Sequence, residues 1–290
     1  MRLGMTGMNR RDLLKSGALA AAASVTAPLP AAQRSVSDAN SKTSPIHFGV
    51  ASYSLRKFDR AHVIEFLKQL RISDLNVKDI HLPAGNPEET RRAIAEFNAA
   101  AVNLSAVGVI YFSKDDDNDM REKFEYCKLT GVHLIVAGPT QQTLPRLEKF
   151  ARQYDMRIAI HNHGPEDPNF PSPLDVLKAV QNMDRRMGVC IDVGHAARAG
   201  ADVPEAIMLC GPRLYDVHMK DLADLKVRES QVDVGDGHMP VRRIFKSLIA
   251  VGYEGFVDLE YEIHEDDPLP GMIKSFAYIR GVLAGMGYET

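Results

Sequence analysis

Eight short apolar runs alternate with amphipathic stretches at a near-regular spacing, and that beat restricts the chain to a repeating β/α architecture. The first four candidate strands are His47–Tyr53, Leu75–Leu82, Leu104–Tyr111 and His133–Ala137. The second four are Arg157–His163, Gly188–Val193, Leu214–Lys220 and Phe256–Glu262. Their starts fall roughly 24–31 residues apart, with a last step of about 40, and each interval is the length of one βα unit. Eight such units in about 240 residues predict an α/β fold of the closed (β/α)8 TIM barrel type.

The intervening segments carry the matching helical period. Val63, Phe66, Leu67 and Leu70 recur at i, i+3, i+4 and i+7, and Leu144, Leu147, Ala151 and Tyr154 follow a similar rule. Met272, Phe276, Ile279 and Leu283 do so in the last helix. Pro87 and Gly131 stand where a helix start and a helix end are expected. A doubly wound open sheet would favour a glycine-rich turn after the first strand, and Ala51-Ser52-Tyr53-Ser54 is not one.

Composition narrows the function classes. A net charge of −3 gives no basic face for nucleic acid. No apolar run reaches the roughly 20 residues needed to cross a bilayer. Cys127, Cys190 and Cys210 are an odd count at no metal-like spacing and read as small buried apolar residues. Residues 1–33 read as a twin-arginine export signal: Arg10-Arg11 precede an Ala-rich stretch, and Ala31-Ala32 offer a cleavage site. A periplasmic or otherwise exported location follows as an expectation. Residues 34–45 read as a flexible leader and 46–286 as the barrel. The sequence leaves a homo-oligomer open.

Alternation along the last four strands locates the polar residues, because i and i+2 share a face. Ile158 and Ile160 face the helices, so Ala159, His161 and His163 face inward. Val189, Ile191 and Val193 leave Cys190 and Asp192 inside; Tyr215, Val217 and Met219 leave Asp216, His218 and Lys220. Val257, Leu259 and Tyr261 leave Asp258, Glu260 and Glu262. Ionisable groups therefore converge at the C-terminal end of the barrel, where such enzymes do chemistry. Burying several carboxylates together costs several kcal/mol per ion, and one divalent cation removes that cost. Mixed imidazole and carboxylate ligands suit Mn²⁺, Zn²⁺, Co²⁺ or Fe²⁺, with Mg²⁺ also admissible, better than Ca²⁺. The competing reading is a set of internal ion pairs in which Lys220 and histidines neutralise the acids.

Four segments carry a family likeness: Arg157 to His163 (RIAIHNH), Val189 to His195 (VCIDVGH), Tyr215 to Asp221 (YDVHMKD) and Val257 to Glu260 (VDLE). In this order they resemble the sugar phosphate isomerase/epimerase superfamily, the xylose-isomerase-like barrels, over Ile46 to about Gly285. The resemblance implies one metal held by a Glu, an Asp, a His and a second Glu from strands five to eight. Asp192, His218 and Glu260 fall on the last three positions. His161 stands where the first Glu is usual, so His161, His163 or Glu166 is the first ligand, and His161 is the one preferred. The resemblance also implies that His195 contacts substrate hydroxyls. Lys220, Glu262, Glu260 and His163 become candidate acid–base residues, with support of the ligands by hydrogen bonding as their other role. His81, closing the second strand, is a candidate substrate contact or else a surface histidine. The Val234-Gly-Asp-Gly237 segment reads by analogy as a loop covering the site, or as a plain turn.

The expected chemistry is proton transfer next to a carbonyl of a sugar or sugar-like small molecule, as in an isomerase or epimerase. The nearest alternative is a lyase or dehydratase acting on keto-sugars or 3-keto-glycosides by β-elimination. An abasic-site endonuclease and a non-catalytic sugar-binding barrel are the remaining readings.

Overall fold

The structure, a computed structural model, describes residues 42–289. The twin-arginine segment and most of the expected leader lie outside the described residues. Eight parallel strands close into a barrel: β1 (His47–Ala51), β2 (Asp74–Val77), β3 (Asn103–Phe112), β4 (Leu134–Pro139), β5 (Arg157–His161), β6 (Met187–Asp192), β7 (Leu214–Met219) and β8 (Phe256–Leu259). β8 pairs with both β7 and β1, so that Asp258 lies opposite His218 on one side and Gly49 on the other. The helices are α1 (Arg60–Leu70), α2 (Pro87–Ala99), α3 (Asp117–Thr130), α4 (Leu144–Tyr154), α5 (Pro173–Val180), α6 (Val193–Arg198), α7 (Val203–Cys210), α8 (Val241–Ala250) and α9 (Leu269–Ala284).

Local chemistry sets the helix ends. Asn86 caps α2 by accepting a hydrogen bond from the Glu89 amide, with Pro87 in the first turn, where its missing N–H costs nothing. Gly131 ends α3 with φ 75°, a left-handed position that a side chain would strain. The apolar face of α8 buries Val241, Ile244, Phe245 and Leu248 against the sheet, each worth about 1.5–3 kcal/mol of hydrophobic stabilisation. Most of the core lies in this layer between strands and helices. Inside the barrel, Ala106, Val136, Ala159 and Cys190 form a small apolar cluster, beside the buried polar side chains of Asn76, Asp216 and Asp258. All three cysteines are buried and unpaired.

Several strands stop short of the expected ends, and the reason is the same at each. β2 ends at Val77 because Lys78 begins a turn, its carbonyl accepting from the His81 and Leu82 amides. β6 ends at Asp192, whose carboxylate caps α6 by accepting from the His195 amide at 2.7 Å. Val193 is accordingly the first residue of a helix rather than an outward strand position. Lys220, Glu260, Tyr261 and Glu262 lie just beyond the strand ends, where the chain turns over the mouth. Lys42–Thr43, expected in the leader, instead pairs in parallel with Tyr288–Glu289. Among the described residues no helix is long and apolar enough to cross a membrane.

Candidate active site

Strand register assembles a cluster at the C-terminal mouth. His161 ends β5 opposite Cys190, and Asp192 ends β6 opposite His218 of β7. Glu260 follows β8 directly, its amide bonded to the Met219 carbonyl. Ligand-capable atoms of His161, Asp192, His218 and Glu260 all lie within 4.8 Å of one another, and all four residues are buried. His161 Nε2 is 3.1 Å from His218 Nδ1 and 3.8 Å from Asp192 Oδ2; His218 Nδ1 is 3.3 Å from Glu260 Oε2.

Lys220 enters the same space. Its Nζ lies 3.0 Å from Asp192 Oδ2 and 2.9 Å from Glu260 Oε2, and donates a 2.6 Å hydrogen bond to Glu262 Oε2. The internal ion pairing left open by the sequence is therefore present. Burial alone would lower the Lys220 ammonium, but the three carboxylates hold it well above the usual lysine value. Burial likewise opposes charge on His218, yet Glu260 and Asp216 raise it well above its ordinary range. Glu260, which burial would raise, is pulled well below the carboxylate range by Lys220 and His218. Asp192 is raised by burial, an effect only partly offset by Lys220.

The donor set nonetheless fits a divalent ion. Asp192 Oδ2 is buried and accepts no hydrogen bond, since Lys220 approaches it outside the hydrogen-bonding direction. His161 has its titration pushed well below the ordinary histidine range, by burial first and then by His163 and His218, so its imidazole is the neutral, ligating form. Once His218 gives up the proton that Glu260 and Asp216 stabilise on it, as metal binding requires, two imidazoles and two carboxylates face one point, a donor set for Zn²⁺, Fe²⁺, Co²⁺ or Mn²⁺. Below them the Asn76 amide donates to Asp216 Oδ2 at 3.2 Å and lies 2.9 Å from His218 Nε2, fixing that ring from behind.

A cleft of about 840 Å³ opens over this cluster. A sequence profile of the xylose isomerase-like TIM barrel family matches residues 52–282. The chain belongs to that family. It is 27% identical over 154 residues to an inosose dehydratase of Clostridium perfringens (strain 13 / Type A), which covers 47% of this chain and 52% of the relative. It thus spans about half the length of that relative. Its fold is similar to the IolI protein with a bound zinc atom, at TM-score 0.68 and 16% identity, covering 83% of this chain and 99% of the other. It is also similar to D-psicose 3-epimerase of Clostridium cellulolyticum H10, at TM-score 0.66 and 15% identity, covering 82% and 99%.

Against this xylose isomerase-like frame the candidate residues sort by position. His161 lies in the four-residue cluster, whereas Glu166 is engaged by the Arg198 guanidinium and stands outside it. His163 lines the cleft, its ring 4.4 Å from that of His161 and its Nδ1 3.3 Å from Asp167 Oδ2. His195 also lines it; burial, then Lys220, lower its titration to about 3, and the Arg198 guanidinium donates to its Nδ1 at 3.1 Å. Glu262 lines the cleft half-buried.

His81 requires correction on both counts. It is neither at the mouth nor on the surface: the turn after β2 buries it, and Nε2 donates to the Phe58 carbonyl at 3.0 Å. The glycines of Val234 to Gly237 do not line the cleft either. Their segment wraps Asp221, whose carboxylate accepts from the Gly235, Gly237 and Met239 amides. Tyr53, Lys78 and Tyr111 line the cleft and were missed as site residues. Their signal was their place at or just beyond the C-terminal ends of β1, β2 and β3, the positions that barrel sites draw on.

Proposed function

We propose that this chain is a divalent-metal-dependent enzyme that removes a proton next to the carbonyl of a keto-sugar or keto-glycoside and expels a β-substituent, the action of a lyase or dehydratase. The observation that carries the reading is the meeting, at one rim, of the His161–Asp192–His218–Glu260 cluster with the Lys220–Glu262 pair. The inosose dehydratase likeness supports the elimination outcome.

His161, Asp192, His218 and Glu260 would hold the ion. When bound it supplies Lewis-acid stabilisation of negative charge developing on a substrate oxygen. Glu262 is the base: Lys220 fixes its carboxylate at 2.6 Å while part of it stays open to the cleft. The C–H electron pair left behind forms the new double bond as the β C–O bond breaks. His163, which lines the same cleft and is oriented by Asp167, hands a proton to the departing oxygen. His195, oriented by Arg198, binds substrate hydroxyls.

A second reading, isomerase or epimerase, is favoured by one feature. Glu262 and His163 both face the same cleft, so a proton taken by one is returnable to carbon by the other. Incubation of the metal-loaded protein in D₂O with ketoses and with 3-keto-glycosides separates the two. Release of the β-substituent supports the lyase; deuterium incorporation without release supports the isomerase or epimerase; neither on any substrate, with sugar affinity retained, leaves a binding barrel. We further propose twin-arginine export, testable by fusing residues 1–45 to a reporter and mutating Arg10 and Arg11 to Lys.

A further inference from the structure

Tyr111 is the large aromatic side chain most open to solvent among the described residues, 54% exposed, yet its ring packs against neighbours. β3 runs on to Phe112, whereas its pairing with β2 stops at Val107, so Tyr111 stands on a stretch flanked only by β4. One side of its ring packs close to Gly138, where a Cβ would come within 2.7 Å of Tyr111 Cδ1 and 2.9 Å of Cε1. The His163 ring stacks beside it at 5.8 Å and 29°. Lys78 Nζ lies 5.5 Å from the Tyr111 ring centre and 5.8 Å from that of Tyr53. That ammonium donates to the Val109 carbonyl at 3.0 Å and has no carboxylate partner among the described residues.

Two cavities meet at this tyrosine. The cleft over the cluster, about 840 Å³, is near the upper end of the roughly 300–1,000 Å³ that encloses a drug-sized ligand, more than one six-membered sugar ring fills. Lys78, Val109 and Tyr111 also line a second cavity of about 1060 Å³ between α2 and α3. The second cavity presents Arg91, Glu122 and Lys123 beside Tyr126, a mixture suited to hydroxyl groups rather than to one net charge.

We propose that the site takes a two-unit ligand, a glycoside or disaccharide, whose second unit stacks on Tyr111 while Lys78 meets its polar groups. This rests on the reading above that the reacting sugar occupies the cluster end. The flat face of this tyrosine covers the C–H face of a pyranose, or an aryl aglycone, at little entropic cost because Gly138 and His163 already pack against the ring.

Isothermal titration of the full chain, with and without Mn²⁺, tests this using methyl β-D-glucopyranoside as the one-ring probe and cellobiose and 4-nitrophenyl β-D-glucopyranoside as two-ring probes. The two-ring probes should bind about tenfold tighter, an increment expected of one aromatic stack. Tyr111→Ala should erase the difference and Tyr111→Phe should keep it. Gly138→Ala, which displaces the ring without removing it, should reduce it. Equal affinity of one- and two-ring probes, no binding of the two-ring probes, or a Tyr111→Ala variant that keeps the difference overturns the proposal. An intact increment in a protein without turnover sinks the proposed reaction but not the subsite. Turnover without the increment does the reverse.

Discussion

Lys220 Nζ donates a 2.6 Å hydrogen bond to Glu262 Oε2 while standing 3.0 Å from Asp192 Oδ2, so one ammonium joins the candidate base to the candidate ligand set. A divalent ion and Lys220 would neutralise the same carboxylates. The two charges therefore act on one another, and the site's behaviour follows from that coupling.

Replacing Lys220 leaves Asp192 and Glu260 buried with no ammonium beside them. Lys220→Met should destabilise the metal-free protein by about 3–5 kcal/mol, the usual cost of removing one partner of a buried pair. Added Mn²⁺ or Zn²⁺ should then raise its thermal midpoint more than that of the parent protein. Thermal melts with chelator and with excess metal read both effects, and equal metal-induced shifts in the two proteins would count against the coupling.

His161 offers nitrogen where the family resemblance implies a carboxylate. His161→Glu should move metal preference toward Mn²⁺ and Mg²⁺ and away from Zn²⁺, because carboxylate oxygen suits the harder ions. Competition titration between Zn²⁺ and Mn²⁺ measures it. An unchanged preference would remove His161 from the ligand set.

Acid should destabilise the fold through two histidines. Burial lowers His161 well below its ordinary range and His195 to about 3. An unfolded chain protonates both near 6.5, so it binds more protons than the folded protein below that pH, and stability is lost as pH falls from about 6.5 toward 3. His218 is raised instead; its contribution is complete below 6.5 and is lost only on the alkaline side. His195→Asn should therefore flatten the decline of the thermal midpoint between about pH 6.5 and 4.5. A slope identical to the parent's would show that His195 is not held neutral.

Asp221 supports the mouth without facing it. Its carboxylate accepts amide hydrogen bonds from Leu222, Gly235, Gly237 and Met239. Asp221→Ala should cost about 3 kcal/mol, the scale of leaving several buried amides without a charged acceptor, with metal affinity changed far less than by Asp192→Ala. Denaturant unfolding and metal titration of the same preparation give both numbers.

The barrel was legible because its signal is periodic: strand spacing and helical stripes such as Val63, Phe66, Leu67 and Leu70 repeat along the chain. Inward placement of Asp192, His218 and Glu260 followed from strict alternation in β6, β7 and β8. Alternation fails where strands end, so Val193 was placed in a strand although Asp192 already caps a helix. His81 follows a stretch without clean alternation, which left it between the mouth and the surface; the turn that Lys78 begins buries it instead. Tyr111 was read only as the end of a strand. Its role depends on Gly138 one strand away, and single-sequence periodicity carries no information about such a cross-strand pair. Arg198 was invisible for the same reason: its value lies in reaching both His195 and Glu166 from a six-residue helix.

The most direct test is metal analysis of the purified full chain beside its Asp192→Ala variant. The account predicts roughly one divalent ion per chain, removed by chelator together with turnover, and absent from the variant. A protein that purifies metal-free, with a thermal midpoint and substrate turnover unmoved by chelator or by added Mn²⁺ and Zn²⁺, contradicts it.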